Sequence, residues 1–308
     1  MRWIKKGLIF KANGEYGWIK SHAQVPKPLV LDDCIRVYFS PRNDENISCI
    51  AMMDLDRNNP KNILKIYDKP VLEHGEMGYF DEHGVMPQFV CKKNNQVYLF
   101  YAGWSRRDGI PYSNWTGLAI SDDNGLTFKK AFDVPVLDRA QGEVYSATGL
   151  TVFEEGNLYY GFYANGTKWC DVNGKLESAY EIVAATSEDM IHWKRNPVPI
   201  FSKNDGNEAN TAPTLAKING VYHMWFCYRG VEDYRDGRNS YRIGYAYSKD
   251  LKTWIRDDSK SGFERSKDGW DSKMTPYPYV VKVDDRYLMF YNGNYFGKAG
   301  FGYAELEI

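Results

Sequence analysis

One block recurs along these 308 residues: an aromatic run, a polar stretch, a run of small residues, and a tight turn closed by an aromatic. It is clearest from Val97 to Phe128, VYLFYAGWSRRDGIPYSNWTGLAISDDNGLTF. It returns as NLYYGFYANG with EIVAATSEDMIHW, as GVYHMWFCYRG with YRIGYAYSKDLKTW, and as DRYLMFYNGN with GFGYAELEI, and a fainter copy, CIRVYFSPR with NISCIAMMDLD, precedes it. Anchored on Val37, Tyr98, Tyr159, Tyr222 and Tyr287, the copies are spaced by 61, 61, 63 and 65 residues. A fixed long period marks a repeat architecture, and five copies fill the chain as one domain, residues 1–308.

Each copy divides into four strands. The first candidates are HAQVPKPLVL, VMPQFVCK, SATGLTVF, NTAPTLAKI and TPYPYVVKV, followed by short turns rich in Asp, Asn and Gly of the kind hairpins use. The aromatic run is the second strand and the small-residue run the third. The fourth is the segment after each turn aromatic: NILKIYDKPVL, FKKAFDVPVL, WKRNPVPIF and WIRDDSKSGF. The last copy ends at Ile308 without a fourth strand, and Arg2–Phe10, which resembles WKRNPVPIF, is expected to supply it. No helical period is sustained. The expectation is an all-β propeller of five four-stranded antiparallel blades, with the N-terminal strand closing the last blade.

Composition narrows the partners. A net charge of −1 points to neither nucleic acid nor an anionic membrane, and no apolar run reaches the ~18 residues of a membrane helix. Cys34, Cys49, Cys91, Cys170 and Cys227 are odd in number and form no CxxC pair, which argues against a disulfide framework or a zinc site. With no secretory signal, a cytoplasmic home is expected, and neither a metal nor a cofactor is called for.

In such a meander the turns between the first and second strands share a face with those between the third and fourth, and both sets are short. The opposite face receives long polar and aromatic segments, GWSRRDGIPYSNWT, NGTKWCDVNGKLESAY, RGVEDYRDGRNSY and NGNYFGKAG among them, so binding is expected there. Each connection into an innermost strand also carries acids: Asp81 with Glu82, then Glu143, Glu208 and Asp271. Acids converging on a funnel lined by Trp104, Tyr112, Trp115, Trp169 and Trp270 suggest sugar recognition, since rings stack on sugar faces while carboxylates grip hydroxyls. Two of the acids would supply acid and base for glycosidic cleavage. His22, Gln24, Arg42, Arg229 and Asn292 join the expected substrate-binding set, the arginines through their planar forks. The turn SDDNGLTF and its variants SEDMIHW and SKDLKTW read as structural Asp-box turns.

The repeat, the S-x-D turns and the acidic strand starts resemble the five-bladed propeller glycosidases of glycoside hydrolase families 43, 32, 62, 68 and 130. SHAQVP, FDEHGVMP, GWDS and YNGN are similar to stretches of bacterial glycosidase-like propellers associated with surface polysaccharides. The resemblance implies Glu208 as the proton donor and Glu143 as a positioning carboxylate. Where family 43 carries a blade-one base, Ser21, His22, Ala23 and Gln24 offer no carboxylate, so either Asp81 or Asp271 takes over as base, or a phosphate or activated sugar is handled instead, as in the phosphorylases of family 130, or hydrolysis does not occur. Two readings follow: a glycoside hydrolase or related carbohydrate-active enzyme working by carboxylate acid/base catalysis, or a non-catalytic carbohydrate-binding propeller.

Overall fold

The computed structural model describes every residue except Glu15 and Asp205. In chain order its strands are β1 (Arg2–Phe10), β2 (Ser21–Val30), β3 (Ile35–Arg42), β4 (Ala51–Leu55), β5 (Ile63–Ile66), β6 (Gly84–Lys93), β7 (Gln96–Arg106), β8 (Tyr112–Ser121), β9 (Lys129–Lys130) and β10 (Ser146–Glu155). There follow β11 (Leu158–Val172), β12 (Lys175–Ser187), β13 (Lys194–Pro199), β14 (Glu208–Ile218), β15 (Val221–Gly230), β16 (Arg242–Ser248), β17 (Ile255–Arg256), β18 (Tyr279–Val283), β19 (Arg286–Asn292) and β20 (Phe301–Glu307). Helical structure among the described residues is confined to a 3-10 turn at Asp258–Lys260 and a four-residue turn at Asn294–Gly297, and no helix is long and apolar enough to cross a membrane.

The strands are joined as antiparallel meanders β2-β3-β4-β5, β6-β7-β8-β9, β10-β11-β12-β13 and β14-β15-β16-β17, while β18-β19-β20 takes β1 as its outer strand. β1 runs antiparallel to β20 from Arg2 opposite Glu307 to Phe10 opposite Phe301, as expected from its resemblance to WKRNPVPIF. A short parallel contact, Ser146 with Asn114 and Ala147 with Trp115, merges the second and third meanders into one sheet. The leading strands lie side by side around an axis: β2 against β6, β6 against β10, β10 against β14, β14 against β18, and β18 against β2. Aromatic clusters fill the wedges between meanders, for example Phe39 with Phe10 and Phe301, and Phe162 with Trp254.

Two expectations need correction. The fourth strands are shorter than the sequence suggested, two residues in β9 and β17: Pro135 follows β9, and after β17 the chain turns into the 3-10 segment Asp258–Lys260. GWSRRDGIPYSNWT and NGTKWCDVNGKLESAY are not loops over most of their length but extended hairpins. β7 and β8 pair as far as Arg106 and Tyr112, and β11 and β12 as far as Val172 and Lys175. Asn173 and Gly174, at φ 54° and 77°, form the two-residue turn that a twisted hairpin prefers.

The SDDNGLTF turn is a rivet between meanders. Asp123 accepts hydrogen bonds from the Leu126 and Thr127 amides and the Thr127 hydroxyl, at 3.1, 2.9 and 2.6 Å. Gly125, at φ +82°, presents its carbonyl to the Tyr38 hydroxyl of β3 at 2.7 Å, and Phe128 meets the Tyr38 ring edge-on at 5.5 Å. A Cβ at Gly125 would fall 2.1 Å from the Tyr38 oxygen, so glycine is required both for its backbone conformation and for space.

The inner strands share a defect that shapes the axis. Their pairing slips between Gln24 and Lys27, Pro87 and Phe89, Thr148 and Thr151, and Thr211 and Thr214. At this level Val25, Gly149, Ala212 and Tyr277 have φ of 49°, 70°, 51° and 59°. All but Gly149 precede a proline, which has no amide to donate and keeps its predecessor out of the helical region. The strands therefore bulge together, and a left-handed β-branched residue such as Val25 persists only because its surroundings hold it. Asn292 does so, accepting the Val25 amide at 2.7 Å while donating to the Ala23 and Gly300 carbonyls at 2.6 and 3.0 Å.

Candidate functional site

The bulges floor a cavity of about 600 Å³ on the face where the long segments were expected, a volume typical of small-ligand sites. Val25, Met86, Gly149, Ala212 and Tyr277 contribute one position from each inner segment, and the extended hairpins β7-β8 and β11-β12 form one wall. Tyr112 at the tip of the first hairpin meets Trp169 of the second edge-on at 5.1 Å, and its hydroxyl lies 3.1 Å from the Ser178 hydroxyl. Trp104 is anchored by its indole nitrogen donating to Ser48 Oγ at 3.0 Å.

Continuous with it is a wall of tyrosines around Arg229. This guanidinium is 2% exposed and donates to the Ser178 and Gly230 carbonyls at 2.7 and 2.8 Å and to the Tyr180 and Tyr241 hydroxyls at 3.1 and 3.3 Å. Its central carbon sits 3.7 Å from the Tyr234 ring centre. Arg229 therefore orders the wall rather than offering a free fork. Arg42 donates to Gln24 Oε1 at 2.9 Å and Asn46 Oδ1 at 2.7 Å, both neutral. His22, with Ser21 Oγ 2.9 Å from Nδ1, is lowered to about 4 by burial, then by Arg42 and Lys298, so its ring is neutral at pH 7.

Of the residues expected in the site, His22, Gln24, Arg42, Trp104, Tyr112, Trp169 and Arg229 line this cavity. Trp115, Trp270 and Asn292 do not. Trp115 is buried in the core with Phe100 and Ala147, Trp270 stacks on Tyr291 at 5.1 Å, and Asn292 is fully buried in the bulge support described above. The acids stand elsewhere too. Each is buried at the entrance of its inner strand, where it pairs with a cation on the outermost strand of the same meander. Asp81 meets Lys130 at 2.6 Å, Glu143 meets Arg195, Glu208 meets Arg256 at 2.5 Å, and Asp271 meets Lys5 at 2.7 Å. Tyrosines of the second strands back two of them, Tyr163 donating to Glu143 at 2.7 Å and Tyr291 to Asp271 at 3.0 Å. In the fourth meander Phe226 lies under the Arg256 guanidinium, 5.1 Å from centroid to carbon. Glu208 also borders a second cavity of about 340 Å³ with Tyr228 and Arg242.

No Asp or Glu lines the main cavity among the described residues. No cluster of three or more His, Cys, Asp or Glu suited to a metal ion occurs among them either, and all five cysteines are free.

Lys27, Tyr180, Tyr234, Tyr241 and Tyr277 line the cavity and escaped the sequence reading. The signal for Lys27 was present, a lysine between two prolines in an otherwise apolar inner strand. The tyrosines had none, being four among 24.

Comparison with known proteins gives the class first. The fold is that of glycosidase-like propellers. The complex of BT0996 with RGII superposes with a TM-score of 0.76 at 18% identity, covering 98% of this chain and 90% of that one. A glycoside hydrolase family 130 structure, from work on β-1,2-mannosidic linkages in Candida mannan, superposes with a TM-score of 0.70 at 14% identity, covering 99% and 93%. No protein-family model matches. In sequence, the chain is 34% identical to the uncharacterised protein Rv1502 of Mycobacterium tuberculosis over 309 residues and the full length of both, and it belongs to the same family. A 1,2-β-oligomannan phosphorylase of Thermoanaerobacter is 26% identical over 214 residues, 68% of this chain and 64% of that one.

Proposed function

We propose that residues 1–308 form one five-bladed propeller whose axial cavity recognises a carbohydrate without cleaving it through a carboxylate pair. The observation that carries this reading is the lining itself: Trp104, Tyr112 and Trp169 offer ring faces and edges, Gln24, Gln88 and Asn114 offer amides, and no described acid faces the ligand space. The carbohydrate part of the proposal is supported by the glycosidase-like fold and the oligomannan phosphorylase relative. The absence of carboxylate acid/base chemistry is supported by the ion pairs that occupy Asp81, Glu143, Glu208 and Asp271. Titration calorimetry with a panel of mono- and oligosaccharides tests it. A saturable ligand whose affinity falls about tenfold in Trp104→Ala, a loss of about 1.4 kcal/mol, is expected, with no product from that ligand. Affinity unchanged in that variant overturns the site.

A second reading, a glycoside hydrolase with Glu208 as proton donor, is favoured by one observation: Glu208 borders the smaller cavity. It requires turnover in wild type that Glu208→Gln abolishes with unchanged melting temperature.

A further inference from the structure

The cavity wall is cationic without compensation. Lys27, Arg42, Arg106, Lys168, Arg229 and Arg235 line it, and only Arg235 has a carboxylate partner among the described residues, Glu177 at 2.9 Å. Arg42 and Arg229 are held by neutral acceptors, and Arg106 by the Glu45 carbonyl at 2.9 Å. Lys27 is the one buried cation of the six without a hydrogen-bond acceptor among the described residues. It is 4% exposed, on β2 just beyond the bulge, and its ammonium has no ion pair or hydrogen bond to any described residue. It faces the Tyr279 ring, 4.5 Å away.

A buried cation without an acid is costly. Cations buried against the strand entrances of this fold are matched, as Arg195 and Arg256 are. The propeller thus has a repeated solution for neutralising buried charge and does not apply it at Lys27. Burial pulls the Lys27 amine down to about 7, with Cys227 partly opposing this. An anion close by would restore its charge and gain from the low dielectric around it.

We infer that the carbohydrate of the cavity carries its own negative charge, a phosphate ester or a carboxylate on the sugar, which Lys27 neutralises, with Arg42 also on the lining, while the sugar ring lies toward Trp104 and Trp169. This rests on the carbohydrate reading above and sharpens it to a substrate class. A buried cation beside the bulge, with aromatics and amides also on the lining, matches a ligand that presents its charged end to Lys27 and its neutral part to the rings.

The test is calorimetry on the full chain at constant ionic strength with four probes: glucose, glucose 1-phosphate, glucuronate and inorganic phosphate. One or both charged sugars are expected to bind at least tenfold tighter than glucose and than inorganic phosphate, and which of them does so identifies the anion. Lys27→Met, which keeps an unbranched side chain of similar length and removes the charge, is expected to abolish that preference, bringing the charged sugar down to the affinity of glucose. Glucose binding as tightly as the charged sugars overturns the inference and leaves the carbohydrate reading standing. Inorganic phosphate binding as tightly as glucose 1-phosphate, with no glucose or glucuronate binding, overturns both. Should Lys27→Met fail to fold, Arg42→Gln with the wild-type panel still decides, since the preference itself is a wild-type property.

Discussion

Lys5 Nζ lies 2.7 Å from Asp271 Oδ2, joining the first strand of the chain to the entrance of the last inner segment, 266 residues later. Tyr291 donates to the same oxygen at 3.0 Å. Strand β1 is thereby fastened to the last meander by a buried charge pair as well as by its ladder with β20. Lys5→Met leaves the Asp271 carboxylate buried and unmatched and is expected to cost about 3 kcal/mol, the lower end for a broken buried pair because Lys5 keeps some solvent contact. Urea denaturation of K5M, D271N and the double variant measures it. Additive losses would exclude the clasp.

Glu208 makes the same kind of contact with Arg256, which also binds Asp258 at 2.7 Å. In Glu208→Gln a comparable loss of stability is expected, with sugar affinity within twofold of wild type. A thermal melt beside a binding isotherm separates this from the proton-donor reading.

Asn292 spends all its polar capacity on backbone: the Val25 amide and the Ala23 and Gly300 carbonyls. Asn292→Ala orphans buried groups, with an expected cost of about 2–3 kcal/mol in chemical denaturation. A loss below about half a kcal/mol would mean the Val25 bulge supports itself.

The pH dependence has a defined sign at His22. A free imidazole protonates near 6.5, and the folded one only at about 4. Between those values the unfolded chain binds more protons, so this contribution is fully present above pH 6.5 and is lost as pH falls toward about 4. In His22→Gln that part of the slope is expected to vanish. Stability curves of both proteins from about pH 4 to about pH 7 check it, and parallel curves would contradict the burial of the ring.

The repeat period, the strand order and the return of Arg2–Phe10 to the last meander were legible because they depend on hydrophobic alternation and turn chemistry, which are local. The Asp-box role of Asp123 and Gly125 was legible for the same reason, since the turn satisfies its own amides. The extended hairpins were not. Polar residues such as those in GWSRRDGIPYSNWT look like a loop until Tyr112 and Trp169 meet across two meanders and give them something to pack on.

The candidate site divides along the same line. Sequence alone brought His22, Gln24, Arg42, Trp104, Tyr112, Trp169 and Arg229 to one face, because position within a repeat determines the face of a meander. It also placed Asp81, Glu143, Glu208 and Asp271 at the inner strand entrances. Only the tertiary structure decided where those carboxylates turn. Lys130, Arg195, Arg256 and Lys5 stand on outer strands far along the chain from them, and a buried acid takes the nearest cation rather than an open cavity. The same packing left Lys27 on the cavity lining with an aromatic ring and no acid, a circumstance that depends on which side chains five separate segments bring to one axis.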